Sequence, residues 1–208
     1  MKILIADDHA IVRDGLIALL RKEFKDIVIR EASNGGDAIE IARSGEWDII
    51  VIDISMPGRN GLEALKQMRA EGLKTPIIIL SMHPEDQYAI RALKAGASGY
   101  VNKECATAEL VAAVHQVLLG KKYISAVVSE KLASSFTDMS GKLAHESLSD
   151  REMQVLVLIA SGKTLSEVAA EISLGASTIS TYRARLLEKL SLNNNAELTR
   201  YGMDNALV

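Results

Sequence analysis

A chain of 208 residues, 48% hydrophobic and 25% charged, is long enough for one or two domains whose cores need neither disulfides nor a structural metal. Its single cysteine, Cys105, excludes an internal disulfide, and the four histidines show no zinc-ligand spacing. The net charge of −3 excludes nucleic-acid binding driven by bulk charge; residues 148–208 hold six basic and seven acidic groups, so any DNA contact must come from local placement.

The chain opens on MKILIADDHA, where two aspartates stand in the place of a signal peptide's apolar stretch. No apolar run approaches the roughly 20 residues that span a bilayer, so the expectation is a soluble cytoplasmic protein with no membrane partner. Through residue 120 short apolar runs alternate with amphipathic segments. The runs are 2–6, 27–31, 48–52, 76–80 and 99–101. Between them lie helical patterns: Ile11, Val12, Leu16, Leu19 and Leu20 form one stripe, and Leu110, Val111, Val114, Val117 and Leu118 another. Strict alternation of this kind predicts an α/β domain with a doubly wound, five-stranded parallel sheet of flavodoxin type.

Residues 121–147 lose the rhythm and become small and polar from Ser134, which predicts a linker with a short helix over 125–134. Beyond it the pattern is all-α. Ser149-x-x-Glu152 and Thr164-x-x-Glu167 are capping boxes, Gly162 stops the first helix, and two more helices follow over 177–190 and 195–205. The predicted division is therefore a first domain over 1–120, a linker over 121–147 and a four-helix domain over 148–208.

In a doubly wound sheet the chemistry gathers at the carboxyl ends of the strands. Here those ends carry Asp7 and Asp8, Asp53, Ser81 and Lys103. Crowded carboxylates repel one another and are best tolerated around a divalent cation, and an all-oxygen ligand set favours Mg2+. A carboxylate can also be a nucleophile toward phosphorus. Asp53 is the best candidate, because the turn Ser55-Met56-Pro57-Gly58-Arg59-Asn60-Gly61 follows it and holds backbone groups nearby. The Ser55 carbonyl would be a third metal ligand beside Asp8 and Asp53, with Asp7 acting mostly through water. Lys103 supplies a mobile cation for phosphate oxygens and Ser81 a hydroxyl donor. Taken singly, an Asp pair can be a helix cap, a lysine a solvated charge and Ser81 a cap of the next helix. Taken together they match one mechanism.

This set, an acidic pair, D-x-x-M-P-G-x-[DN]-G, a Ser/Thr and a Lys in order, resembles the receiver domain of bacterial two-component response regulators. The resemblance implies that Asp53 accepts a phosphoryl group from a sensor histidine kinase, with Asp7, Asp8 and the Ser55 carbonyl binding magnesium. It also implies that Ser81 and Tyr100 form a switch pair, the hydroxyl moving onto the phosphoryl group and the ring rotating inward. Two beyond Ser81, His83 stands where a hydrolytic water must approach.

In the third C-terminal helix Ile179, Tyr182, Leu186 and Leu190 recur at core spacing. The opposite face carries Ser177, Thr181, Ala184, Arg185 and Glu188, flanked by Ser180 and Arg183. Such a small, hydroxyl-bearing, partly basic face suits a major groove, and a merely solvated face fits the same pattern. Residues 148–206 resemble the output domain of the NarL/FixJ/LuxR family: LSDREMQVL is its opening motif, SEVAAEI its scaffold helix and STISTYRARLLEKL its helix-turn-helix recognition helix, in the form found in GacA- and BvgA-like regulators. Gly175 stands where the family often has a serine cap. The resemblance implies a phosphorylation-dependent homodimer that binds promoter DNA through Ser177, Thr178, Ser180, Thr181, Arg183, Arg185 and Lys189, with RNA polymerase a further candidate partner. A magnesium-dependent phosphohydrolase is the rival class, but it lacks a second acid placed as general base and leaves the last 60 or so residues unexplained. A receiver acting by protein contact alone is the third.

Overall fold

The structure is a computed structural model that describes residues 1–82, 85–125, 128–130, 144–205 and 207–208, apart from the side chains of residues 85–87 and 146. It divides into two compact units, Met1–Asp138 and Met139–Val208.

In the first unit strands and helices alternate as β1 (Lys2–Ala6), α1 (Ala10–Glu23), β2 (Val28–Ala32), α2 (Gly35–Arg43), β3 (Ile49–Asp53), α3 (Gly61–Ala70), β4 (Ile77–Ser81), α4 (Glu85–Lys94), β5 (Gly99–Asn102), a 3₁₀ turn (Lys103–Cys105) and α5 (Ala106–Leu118). All strand pairs are parallel, in the order β2-β1-β3-β4-β5. Every residue of β3 and β4 is buried, as expected for continuous β-branched runs covered on both faces. On one face Ile3, Ile5, Ile49, Val51, Ile78, Leu80 and Val101 pack with Leu16, Ile17 and Leu20 of α1 and Leu110, Ala113, Val114 and Val117 of α5.

Two expectations shift. Four of the five strands reach one residue further than their apolar runs, so Asp53 pairs with Leu80 and Ser81 with Asn102 as last rungs of the ladder. Ile11, expected on the buried stripe, is 88% exposed and Ile17 takes its place; at 3.6 residues per turn Ile11 lies about 140° around the helix from Leu16.

The segment expected as linker is ordered at both described ends. Tyr123 makes a parallel bridge to Gly99 at the edge of β5, and residues 128–130 are helical; 131–143, the rest of the predicted short helix included, lie outside the described residues. Ala144–Ser147 form a 3₁₀ turn whose His145 Nδ1 lies 3.0 Å from the Tyr201 hydroxyl.

The second unit holds α6 (Asp150–Ala160), α7 (Leu165–Glu171), α8 (Ala176–Leu190) and α9 (Asn195–Asp204). Both predicted capping boxes form, at Ser149/Glu152 and Thr164/Glu167, and Gly162 adopts φ +87° after α6. α6 is buried along its whole length, with α7, α8 and α9 packed on it. At Gly202 a Cβ would stand 2.5 Å from the Ala160 Cβ, so α9 approaches α6 as closely as glycine allows.

Candidate functional site

The sequence places each polar group of the acidic pocket just where a strand stops. Asp7 follows β1 and is locked by its backbone: its N–H donates to Ala32 O (3.1 Å), and its carbonyl accepts from Arg13 Nη1 (2.7 Å). Arg13 is itself paired with Glu31 at 2.7 Å. Asp53 ends β3, and the loop after it folds back tightly. Ile54 O accepts from both Met56 N (3.1 Å) and Gly61 N (3.0 Å), and Gly58 turns the chain at φ +70°. A Cβ on Gly61 would meet Asp53 O at 2.0 Å, so only glycine lets α3 begin against the strand end. Asn60 and Glu63 then form a capping box that starts α3.

These elements converge three charged side chains. Lys103 Nζ lies 2.7 Å from Asp7 Oδ2 and 2.8 Å from Asp53 Oδ2, with all three side chains buried. The ammonium thus bridges the two carboxylates as a buried ion pair, and the Asp53 carboxylate also accepts from the Ser55 backbone N–H. Burial pushes the Asp53 carboxyl up to about 6; Lys103 and the Ser55 backbone amide oppose the rise, and the Asp7 charge adds to it. For Lys103 burial works toward a lower value, but Asp53 and Asp7 outweigh it and hold the ammonium above its ordinary range.

Asp8, with a side chain 26% exposed, opens the pocket to solvent. Asp7, Asp8, His9 and Asp53 each offer a ligand atom within 4.8 Å of the others. One buried lysine against three carboxylates leaves negative charge in excess, which a divalent cation neutralises. The residues fit a metal.

Ser81 is buried at the last rung of β4. Tyr100 is 2% exposed and pairs in register with Ile79; by strand alternation it shares with Asn102 the face opposite Val101. The expected switch residues thus lie on neighbouring strands, with the ring inward. His83 lies outside the described residues. Sequence reasoning missed His9 and Arg13, because neither carries a recognisable spacing of its own.

In the second unit Ser177, Thr178, Thr181, Tyr182 and Arg185 line a shallow concavity of about 270 Å³ on α8. Tyr182, expected in the core with Ile179, Leu186 and Leu190, is instead half-buried and belongs to this outward surface. Ser180 is exposed. The Thr181 hydroxyl, on an exposed residue, donates to Ser177 O at 3.0 Å. The three cations separate. Arg183 Nε donates to Asn195 Oδ1 at the start of α9, and Lys189 Nζ lies 2.7 Å from Glu152 Oε2 in the capping box of α6. Burial works to raise the Glu152 carboxyl, but bonds from Lys189 and Ser149 outweigh it and hold it below the usual range. Arg183 and Lys189 thus brace helices, and Arg185 is the cation that lines the concavity.

A larger open concavity, about 540 Å³ between α2, the 57–59 turn and α3, is lined by none of the acidic-pocket residues, and its Arg43 is committed to Glu71. No described helix is long and apolar enough to cross a membrane.

Comparison with known proteins adds the deciding observation. Residues 3–115 match the response regulator receiver domain, and residues 146–202 match the bacterial regulatory proteins of the luxR family. The chain belongs to the LuxR-family response regulators. It is 34% identical over 212 residues to the response regulator UvrY of Escherichia coli K12, covering 99% of this chain and 97% of that one. To the response regulator GacA of Pseudomonas aeruginosa it is 33% identical over 211 residues, covering 99% of each. Among solved structures it resembles RcsB from Salmonella enterica serovar Typhimurium, determined bound to a promoter with a phosphomimetic, at 27% identity, 97% coverage of both chains and a TM-score of 0.60. The receiver match contains the whole acidic pocket, and the luxR match contains α6 to α8 and most of α9.

Proposed function

We propose that this response regulator is a transcription factor switched by phosphorylation of Asp53, the phosphoryl group coming from a sensor histidine kinase. The observation that carries the reading is the buried Asp7–Lys103–Asp53 arrangement at the strand ends, with Asp8 beside it and negative charge in excess. An Asp53 oxygen attacks phosphorus as the bond to the kinase imidazole breaks, and the aspartyl phosphate forms. Lys103, held charged by its two partners, meets the charge that develops on the phosphoryl oxygens, and the Ser81 hydroxyl donates to one of them. Asp7, Asp8, Asp53 and the Ser55 carbonyl would hold Mg2+, which supplies charge neutralisation to carboxylates and phosphoryl oxygens.

The modification brings about −2 charge and new acceptor oxygens to a site where Ser81 and the buried Tyr100 sit on adjacent strands, and these serve as the switch pair. The switched receiver promotes homodimerisation, and two α8 helices enter the major groove at two half-sites of promoter DNA. Ser177, Thr178, Ser180, Thr181, Arg185 and Tyr182 are the contacting surface. The promoter-bound state of the RcsB relative supports this, as do the exposed hydroxyls of α8. RNA polymerase is a further partner in this reading, and the cytoplasm its compartment. The chain has no enzymatic turnover beyond its own phosphoryl transfer and loss.

The test is intact-mass measurement after incubation with acetyl phosphate and Mg2+. The wild type gains one phosphoryl group, Asp53→Asn gains none, and Lys103→Ala gains it far more slowly. Label on Asp53→Asn at the wild-type rate contradicts the assignment.

A further inference from the structure

At the amino ends of the strands, opposite the acidic pocket, the two sides of the sheet carry charge differently. Beside β2, where α1 ends, Lys22 and Lys25 are interleaved with Glu23 and Asp26. Beside β4 and β5 the cations outnumber the acids: Arg69 and Lys74 stand at and after the end of α3, Lys94 closes α4, and Lys121 and Lys122 follow α5. The acid interleaved with them, Glu71, is paired with Arg43. These three segments are folded against one another. Arg69 Nε donates to Gly96 O (3.0 Å) and its Nη1 to Leu73 O (2.7 Å), while Lys122 Nζ donates to Ala97 O, the next carbonyl along. Two cations therefore hold consecutive carbonyls. Among the described residues no carboxylate pairs with Arg69, Lys74, Lys94, Lys121 or Lys122. Burial holds both Arg69 and Lys122 below their ordinary ranges, and at Lys122 the Arg69 charge adds to the fall. Lys74, Lys94 and Lys121 are exposed.

Uncompensated positive charge on one surface attracts a polyanion. We propose that this end of the first unit is a second DNA-contacting surface, in which Lys74, Lys94 and Lys121 bind backbone phosphates, Arg69 and Lys122 add their charge, and no base is read. The proposal rests on the reading of the chain as a DNA-binding regulator. Two features favour duplex DNA over an acidic protein as the partner. Lysine is depleted at protein–protein interfaces, whereas its ammonium is an ordinary contact to phosphate. The chain also leaves the first unit at Lys121 and Lys122 and next builds the helices that include α8, so DNA held by α8 is tethered to this surface. Because the surface lies at the end of the sheet opposite Asp53, DNA on it leaves the phosphoacceptor open. A chain of net charge −3 gains from such a local contact what its bulk charge does not supply.

The experiment uses the full chain, treated with acetyl phosphate and Mg2+, and anisotropy titrations over a salt series on two duplexes of equal length, a promoter fragment and a random sequence. It compares the wild type with Lys74→Gln/Lys94→Gln and with a control of equal charge change, Lys22→Gln/Lys25→Gln. All four lysines are exposed, so both variants keep the fold, which circular dichroism checks, and both take up the phosphoryl group as the wild type does. Lys74→Gln/Lys94→Gln lowers the salt slope by about two and weakens binding about tenfold, by the same factor on both duplexes, so the preference for the promoter is kept. The control changes affinity by less than about twofold, because its lysines are flanked by acids. Unchanged binding by Lys74→Gln/Lys94→Gln, an equal loss in the control, or a loss confined to the promoter would overturn the proposal. DNA binding that is unchanged while binding to poly-glutamate falls would assign the surface to an acidic protein and overturn it as well. Failure of the wild type to bind either duplex would overturn the DNA-binding reading itself, and this proposal with it.

Discussion

In the proposed phosphoryl transfer Asp53 meets two opposed demands, since it would have to be ionised to act as a nucleophile and it is buried where ionisation is costly. The carboxyl titrates near 3.8 when unfolded and near 6 in the fold, so the folded chain binds that proton more tightly. The group is therefore neutral in its effect below about pH 4, grows destabilising as the pH rises from there to 6, and reaches its full cost, about 3 kcal/mol at most, above that. The raised Lys103 pKa adds stability that is constant over this window, being lost only above its alkaline pKa. In magnesium-free buffer Asp53→Asn is thus expected to melt above the wild type at pH 7 and to converge with it near pH 4. Thermal melts across that range check it, and a variant less stable at pH 7 contradicts it. On α8, Arg185→Ala should lower the salt slope of DNA binding by about one with weaker affinity, while Arg183→Ala, which frees Asn195, should lower thermal stability and disturb DNA binding less. Anisotropy titrations over a salt series separate the two. Sequence reasoning reached Asp7, Asp8, Asp53, Ser81 and Lys103 because each follows an apolar run. It set Tyr182 on the wrong side, since a half-buried aromatic fits either face of a helix by spacing alone. It could not see that Lys189 pairs with Glu152, since that partner is 37 residues away, beyond any local pattern.

At the scale of elements, β5 is an edge strand, and the chain manages that edge by laying Tyr123 on it. Tyr123 N donates to Ser98 O at 2.9 Å, Lys122 Nζ donates to Ala97 O, and the Tyr123 hydroxyl donates to Glu109 at 3.2 Å. The seat exists because Gly99 has no side chain: a Cβ there would stand 3.0 Å from the Tyr123 Cβ. Gly99→Val should therefore lift residues 121–123 from the edge and cost about 1–3 kcal/mol. Faster amide exchange at Tyr123 with a lower denaturant midpoint would be the result, and unchanged protection at Tyr123 would contradict the clasp. Ser149→Ala should cost about 1 kcal/mol by removing the cap of α6, which a denaturant titration reads. The capping boxes and Gly162 were legible because their signals are local. The Tyr123 bridge was not, since nothing in residues 121–125 alternates like a strand and the partner that accepts them lies more than 20 residues upstream.

For the molecule as a whole, one unit carries the buried carboxylate proposed to take a phosphoryl group, and the other presents on α8 a concavity of hydroxyls with Arg185 among them. Neither unit explains the other by its own chemistry. What joins them is the claim that charge added at Asp53 governs what α8 does, through the association of two chains. The net charge of −3 makes such control effective, because the unmodified chain has little general attraction to DNA and depends on pairing two recognition helices. The measurement that tests this most directly is binding of the full chain to a fluorescent fragment of its own promoter, with and without acetyl phosphate and Mg2+, for the wild type and Asp53→Asn. The account predicts that the phosphodonor tightens wild-type binding at least tenfold, together with a shift to dimer in sedimentation, and leaves Asp53→Asn at the weak basal level. Equal affinity for the wild type with and without the donor, while intact mass shows Asp53 phosphorylated, would contradict it.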